Sequence, residues 1–175
     1  MVLNEATEAD YAEVIDLANL AYRGREGAKP SWNIEAGMIA GQRLNDALLR
    51  DELAAKPNGV LLVFRDSPDG PLIGTAWLNP EEDDVWSLSL LTVHPDLQNR
   101  QLGRTLLEAA EQYARERGAK RMRIRVLYVR HTLMAWYERR GYGKTGETEP
   151  WPHENPHIGT PLIENPHFLV LEKTL

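Results

Sequence analysis

Residues 91–117, LTVHPDLQNRQLGRTLLEAAEQYARER, predict a strand, a tight loop and a helix in direct succession. The strand is expected over Val85–Val93, where every residue is apolar or small and the last two are β-branched. Pro95 has no backbone N–H to give to a ladder, so the strand should stop near His94.

The helix that follows is amphipathic. Its predicted buried face carries Leu102, Leu106, Ala109, Ala110 and Tyr113, and its predicted solvent face carries Arg104, Glu108, Glu111 and Arg115. Gly118 is the expected C-terminal stop.

The loop Gln98–Arg104 joins this strand to this helix. Unpaired backbone N–H groups and the positive end of the helix dipole make such a place a site for anions, above all phosphates. Gly103 permits a close backbone approach, and Arg100 and Arg104 add positive charge. The N–H groups are expected to point at the anion if Gln101 keeps a negative φ.

The composition is that of a single globular domain, residues 1–175, with a hydrophobic fraction of 42% that is enough for a sizeable core. No Cys is present, which excludes disulfides, a thiolate nucleophile and a Cys-based zinc site. No apolar run reaches membrane-spanning length, and Met1–Asn4 lacks the basic start of a signal peptide. The expected location is the cytoplasm, without a membrane partner.

The net charge of −6 is unevenly distributed along the chain. Residues 100–140 contain eleven Arg or Lys against four Glu, a net charge of +7, so the remainder carries −13. A basic segment beside an acidic one suits an anionic cofactor. Nucleic acid is not an expected partner, because the protein is acidic overall and the basic segment lacks interleaved aromatic residues.

The remaining patterns predict the element order β-α-α-β-β-β-α-β-α-β-β. Further strands are expected at Val2–Ala6, Val60–Phe64, Leu72–Leu78, Arg121–Leu127, from about Gly143, and at His167–Lys173. Further helices are expected at Tyr11–Tyr22, from Ser31 to Leu53, and at Arg130–Arg140, and a long irregular stretch at Gly146–Pro166.

The strand, loop and helix resemble the acyl-CoA loop of the GNAT N-acetyltransferase superfamily. That pattern is Gln/Arg-x-x-Gly-x-Gly/Ala after a strand that ends Val-x-Pro. Here Val93–Pro95 matches the strand end, Gln98 the first loop position and Gly103 the last. Gln101 replaces the middle glycine.

A second motif of the superfamily, Asn-x-x-Ala-x-x-x-Tyr-x-x-x-Gly-Phe, follows at the expected separation. Tyr137 and Gly141 match it, whereas Arg130, Leu133 and Tyr142 replace the Asn, the Ala and the Phe. The resemblance implies an α/β (α+β) GNAT-type fold, with a twisted mixed sheet flanked by helices. Its fourth and fifth strands would splay apart and admit the pantetheine arm of the cofactor.

The activity implied is transfer of an acetyl group from acetyl-CoA to the primary amine of a small molecule, by direct attack in a ternary complex. An acyl-CoA-binding regulatory module with little or no transferase activity is the alternative. Gln101, Arg130 and the absence of Glu from the strand Val85–Val93, which offers Ser87 and Ser89, favour this alternative.

The resemblance also implies site residues. The expected cofactor-binding residues are Leu91, Thr92, Val93, Gln98, Asn99, Arg100, Gln101, Leu102, Gly103, Arg104 and Arg130. The backbone of Leu91–Val93 would hold pantetheine and supply the oxyanion N–H, and Arg130 would bind phosphate. Tyr137 would be the catalytic acid that protonates the departing thiolate.

The residues that would bind and deprotonate the acceptor amine follow less directly from the sequence. The general base is left open among Glu35, Glu81–Asp84, His153 and Glu154. The residues expected to line the acceptor pocket are Trp32, Glu35, Ser89, Trp151 and His153. No metal site is expected, because His153, Glu154 and His157 lie among prolines without helical spacing. A homodimer is left open.

Overall fold

The computed structural model describes residues 1–27, 31, 34–97, 101–155 and 158–175. The helices are α1 (Tyr11–Arg23), α2 (Asp46–Ala55), α3 (Leu102–Glu116) and α4 (His131–Glu138). The strands are β1 (Val2–Glu5), β2 (Ile39–Ala40), β3 (Val60–Arg65), β4 (Leu72–Pro80), β5 (Val85–Val93), β6 (Arg121–Leu127), β7 (Gly143–Pro150), β8 (Thr160–Pro161) and β9 (His167–Thr174). In these ranges, no helix is both long enough and apolar enough to cross a membrane.

Seven strands form one twisted sheet in the order β1-β3-β4-β5-β6-β9-β7, and β2 pairs with β8 in a separate two-stranded sheet. In the described residues, β5 and β6 are parallel, and the other neighbouring strands are antiparallel. The predicted mixed sheet flanked by helices is confirmed.

Helices cover both faces of the sheet, and β3 shows how the sequence achieves this. Leu61 and Val63 pack in a cluster with α1 and α2, whereas Leu62 and Phe64 pack with α3 and α4. A strand buried on both faces is apolar throughout, which explains the run Val60–Phe64. The sheet is therefore the middle layer, and a site can open only at its edges or where strands separate.

The central stretch folds as predicted. β5 ends at Val93, directly before His94 and Pro95, and α3 begins at Leu102. α3 ends at Glu116, and Gly118 adopts φ +94°, the left-handed conformation that ends helices. These bounds place the start of α3 close to the carboxyl end of β5.

The predicted helix from Ser31 to Leu53 is wrong in its first half. Helix α2 begins only after Asn45, whose side chain accepts a hydrogen bond from the N–H of Leu48 at 2.9 Å. Gly37 and Gly41 adopt φ +81° and +90°, which an α-helix cannot include. Between these two glycines, Ile39–Ala40 form β2 instead.

The irregular stretch predicted from Gly146 to Pro166 is shorter than expected. β7 continues to Pro150, and β8 occupies Thr160–Pro161. Both depend on pairing with distant strands, β9 and β2, which local sequence patterns do not report.

The prediction that Glu111 lies on the solvent face of α3 is also wrong, because this side chain is 3% exposed. Its carboxylate accepts hydrogen bonds from the hydroxyl of Tyr142 at 2.9 Å and from the ammonium of Lys173 at 2.6 Å. These partners come from the segment after α4 and from β9. Tertiary structure therefore supplies the polar environment that a helical pattern alone could not predict.

Candidate active site

Strands β5 and β6 separate halfway along their length. They pair from Val85 with Arg121 to Leu88 with Ile124, and no further in the described residues. Beyond that point β5 continues to Val93 against β4, and β6 continues to Leu127 against β9. The predicted splaying of these strands, the fourth and fifth in the sequence prediction, is confirmed.

A β-bulge lies on β5 where the two strands part. Thr75 pairs with Thr92 but Trp77 pairs with Ser89, so β5 carries one extra residue there. Leu90 adopts φ +47°, which is costly for a branched apolar residue. The hydroxyl of Thr75 donates a 2.8 Å hydrogen bond to the Leu90 carbonyl and lies 2.5 Å from the hydroxyl of Thr92. This buried contact stabilises the bulge at the point where β5 and β6 separate.

The gap opens into a cleft of about 510 Å³. Several residues that the sequence prediction assigned to different roles meet along its walls, namely Glu35, Ser89, Leu91, Arg130, Tyr137 and Trp151. They come from β5, from α4 and the residue that precedes it, and from the loops before β2 and after β7. The cleft brings the proposed chemical and acceptor residues into one volume.

Tyr137 lies on α4 and is 7% exposed. Its ring is held edge-on by Trp136 at 5.0 Å and by Tyr142 at 5.4 Å between centroids. Its hydroxyl makes no hydrogen bond to any described residue. Burial raises the pKa of Tyr137 far above its ordinary value, with a smaller contribution from Tyr22 and opposition from Arg130. The phenol therefore keeps its proton throughout the neutral range.

Glu35 and Arg130 are joined in one charged cluster at the cleft wall. The Glu35 carboxylate accepts from the guanidinium of Arg23 at 2.6 Å and from that of Arg130 at 3.3 Å. The side chains are 12% (Arg23), 14% (Glu35) and 6% (Arg130) exposed. Glu35 thus balances two cations, and it would have to give up part of this pairing to act as a base.

Glu81 is the other base candidate that lines the cleft. Its carboxylate accepts from Arg125 at 3.0 Å and from Arg123 at 3.4 Å. The neighbouring residues 82–84 are exposed, as are His153 and Glu154, which do not line the cleft in the described part of the chain. The acceptor role of His153 stays a prediction.

Sequence reasoning missed a set of residues that also line the cleft, namely Tyr22, Arg43, Glu52, Lys56 and Trp77. Glu52 and Lys56 are four positions apart at the end of α2, a spacing usual for a solvated ion pair on a helix surface. Arg43 carries no sequence signal at all. Only the placement of α2 beside β4 and β5 shows that these side chains face the cleft.

The expected phosphate loop is described from Gln101 onward, and Gln98, Asn99 and Arg100 lie outside the described residues. The condition of a negative φ at residue 101, stated for this loop from the sequence, is not met, because Gln101 adopts φ +59° and ψ 8°. A left-handed residue followed by a helical one, here Leu102, turns successive backbone N–H groups toward one point and forms an anion-binding concavity. The observed conformation is therefore compatible with a phosphate at the start of α3.

Three residues of the predicted loop, Leu102, Gly103 and Arg104, lie within α3. Gly103 and Arg104 occupy its first turn, where the helix dipole is positive. The Arg104 guanidinium is exposed and donates to Glu108, one turn later, at 2.7 Å. A bound phosphate would compete with this carboxylate for Arg104.

Gln101→Gly should stabilise the protein by up to about 1.5 kcal/mol. A left-handed conformation costs a non-glycine residue about 1–2 kcal/mol, and the greater freedom of glycine in the unfolded chain offsets about 0.5–1 kcal/mol of the gain. Urea unfolding of both proteins measures the difference, with Gln112→Gly in the exposed middle of α3 as a control that should lose stability. If Gln101→Gly loses as much stability as the control does, the left-handed conformation is not the native one.

Within the described residues, no three His, Asp or Glu side chains are arranged to hold a metal ion. Trp32 and His157, named in the acceptor and metal interpretations, lie outside the described ranges. The site is thus described by a cleft, a bulged strand, a buried tyrosine and a helix N-terminus.

The chain is similar to known proteins in sequence and in fold. Over 150 residues the chain is 26% identical to mycothiol acetyltransferase of Rhodococcus jostii (strain RHA1). The aligned region covers 77% of this chain and 49% of that protein. The chain therefore spans about half the length of this curated relative. Among solved structures, IAA acetyltransferase from Bacillus cereus ATCC 14579 superposes with a TM-score of 0.67 at 16% identity, covering 99% of each chain.

A further solved structure is that of PaiA N-acetyltransferase from Thermoplasma acidophilum in complex with coenzyme A. Its TM-score is 0.66 at 18% identity, over 99% of this chain and 98% of that one. The acetyltransferase (GNAT) family matches residues 13–142, which extend from α1 through Tyr142 and include both motifs. The chain therefore belongs to the acetyltransferase (GNAT) family.

Proposed function

We propose that this protein transfers an acetyl group from acetyl-CoA to the primary amine of a small molecule, and that residues 1–175 act as one domain. The observation that carries the proposal is the separation of β5 from β6 beside Tyr137. Membership of the acetyltransferase family supports it, as do solved structures of similar fold that hold coenzyme A or acetyl-CoA.

The cofactor would lie between the start of α3 and the β5 bulge. The concavity at Gln101 and the first turn of α3 would bind the pyrophosphate, with Arg104 adding charge. The backbone of Leu91–Val93, which lies beyond the last pair of β5 with β6, would bind the amides of the pantetheine arm in the gap between these strands. Arg130, at the start of α4, would add to cofactor affinity from the cleft wall.

Acetyl-CoA supplies the activated acetyl group as a thioester. The acceptor nitrogen forms a bond to the acetyl carbon, and the carbonyl oxygen becomes negative until the carbon–sulfur bond breaks. An N–H of β5 near the bulge would stabilise this oxygen. Tyr137 would then give its proton to the thiolate, while a carboxylate in the cleft or a water molecule takes the proton of the amine.

Acetyl-CoA should raise the melting temperature, because a ligand that binds only the folded state stabilises it. At one hundred times the dissociation constant the gain is about 2.7 kcal/mol, and a chain of this length shifts by about 2–4 °C per kcal/mol. Thermal unfolding with acetyl-CoA, NAD or ATP measures the shift. The cofactor assignment fails if millimolar acetyl-CoA leaves the melting temperature unchanged while NAD or ATP raises it.

A second candidate is an acyl-CoA-binding module with little transferase activity. One observation favours it: Glu35 is already paired with two arginines, and β5 presents Ser87 and Ser89 where a catalytic carboxylate could stand. Release of free thiol from acetyl-CoA, followed with a panel of amines, separates the candidates. A module binds acetyl-CoA but releases thiol no faster with amines than without them.

A further inference from the structure

The end of the cleft beside α2 carries three charged side chains, Arg43, Glu52 and Lys56, here called the α2 cluster. Arg43 precedes α2, Glu52 lies in its last turn and Lys56 follows its end. All three line the same cleft as Leu90 at the β5 bulge and Tyr137. The α2 cluster therefore faces the volume in which an acceptor would meet the acetyl group.

The two cations of the α2 cluster differ from the other cations of the cleft. Arg23 and Arg130 are paired with Glu35, and Arg125 is paired with Glu149 at 2.7 Å. In the described part of the chain, neither Arg43 nor Lys56 has a carboxylate oxygen within 4.0 Å. Both charges therefore remain available to a ligand in the cleft.

Aromatic rings hold these cations at the cleft wall. The Arg43 guanidinium lies 5.2 Å from the centre of the Tyr22 ring, and the Lys56 ammonium lies 5.6 Å from that of the Trp77 ring. Cation–π contacts of this kind position a charge without neutralising it. The rings also provide apolar surface next to the charges, which suits the hydrocarbon part of a small molecule.

Glu52, in the last turn of α2, contributes the negative charge of the α2 cluster. Burial raises the pKa of this carboxyl, and the nearby Arg43 and Lys56 oppose the increase. The α2 cluster thus presents two cations and one acid, a net charge of +1, on a protein whose net charge is −6. A purely cationic amine would meet this end of the cleft with unfavourable electrostatics.

We propose that the acceptor is an amine that also carries a carboxylate, as amino acids do. Its carboxylate binds Arg43 and Lys56, and its ammonium group faces Glu52 before the proton is lost. Charge-assisted hydrogen bonds from a guanidinium to a carboxylate are among the strongest polar contacts, so both cations should contribute to specificity. This inference rests on the proposed transferase function and specifies its substrate class.

Pairs of acceptors that differ only in the carboxylate test the inference. Phenylalanine and 2-phenylethylamine form one pair, and leucine and 3-methylbutylamine form another. Initial rates of thiol release from acetyl-CoA give kcat/KM for each, calculated for the unprotonated amine so that the different basicities cancel. We expect the amino acid to exceed its amine by about tenfold or more, the effect of a hydrogen bond to a charged group.

Arg43→Gln and Lys56→Gln should each lower kcat/KM for the amino acid by about tenfold, and neither should lower kcat/KM for the simple amine, which loses an unfavourable cation from the cleft. Arg50→Gln is the matched control. Arg50 is a cation of α2 itself, paired with Asp46 and outside the cleft lining, so both acceptors should react as with the wild type. Melting temperatures with acetyl-CoA confirm that each variant is folded and binds the cofactor.

The outcomes separate this inference from the proposed function. If the simple amines are turned over as well as the amino acids or better, the proposed substrate class is wrong, but the proposed transferase function stands. If no acceptor is turned over although acetyl-CoA binds, thermal shifts of the CoA-loaded protein with N-acetylphenylalanine and N-acetyl-2-phenylethylamine decide. The inference is supported if only N-acetylphenylalanine raises the melting temperature and if this rise disappears in Arg43→Gln. Equal shifts with the two ligands, or no shift with either, overturn the inference. Failure of acetyl-CoA itself to bind ends the proposed function.

Discussion

Tyr137→Phe should lower turnover by about ten- to a thousandfold and leave acetyl-CoA affinity nearly unchanged, as removal of a general acid does. The substitution keeps the ring that packs against Trp136 and Tyr142. It removes only a hydroxyl that makes no hydrogen bond to the described residues, so the fold should tolerate it. The proposed role of Tyr137 requires that the loss appear in kcat and in kcat/KM together.

The pH dependence of the wild type should reflect the burial of Tyr137. A free phenol loses its proton near about pH 10, which would remove the acid at high pH. Because burial raises the pKa of Tyr137, the protonated form persists through the range in which an acceptor amine becomes neutral. The rate should therefore rise with pH toward about pH 10, without the alkaline fall that an exposed tyrosine would cause.

Tyr128→Phe provides the control, since the Tyr128 hydroxyl donates to the Glu164 carbonyl and Tyr128 does not line the cleft. It should retain full turnover. Wild-type turnover in Tyr137→Phe, with chemistry shown to be rate-limiting, would mean that water protonates the thiolate. If Tyr137→Phe instead melts early and loses binding and turnover together, Tyr137 is a packing residue.

The parts of the fold that were predictable depend on local physical chemistry. Pro95 stops β5 because it lacks an N–H, and the apolar period of 3.6 residues from Leu102 marks α3. The separation of β5 from β6 was predicted only through resemblance. The extra residue at Leu90 lies in an apolar strand with no glycine, so nothing in its sequence marks a bulge.

The predictions that were wrong concern residues whose environment depends on contacts with residues distant in the sequence. Glu111 follows a solvent-face pattern but is buried by Tyr142 and Lys173, which lie 31 and 62 positions away. Glu52 and Lys56 have the spacing of a surface ion pair but face the cleft. Helical periodicity predicts which residues share a face and does not predict what that face will meet.

Glu35→Ala should lower the free energy of unfolding by about 3 kcal/mol, the lower end of the range for breaking a buried ion pair. Glu35 accepts from Arg23 at 2.6 Å and from Arg130 at 3.3 Å, so its loss removes a shared anion from two cations. The lower end applies because the cluster borders an open cleft, where water can solvate part of the charge. Arg23 also donates to the Gly41 carbonyl at 2.8 Å, so the change loosens the contact between α1 and the loop that follows β2.

Urea unfolding of Glu35→Ala, Glu35→Gln and Glu35→Ala/Arg130→Met measures this cost. Glu35→Gln retains an acceptor oxygen and should lose less, and Arg130→Met should restore part of the loss because it removes one of the cations. Glu108→Ala removes an exposed partner of Arg104 and should cost less than about 1 kcal/mol, as surface pairs do. If Glu35→Ala costs no more than Glu108→Ala, solvent already screens the cluster. Glu35 would then be available to take a proton from the acceptor amine, and its substitution should lower turnover rather than stability.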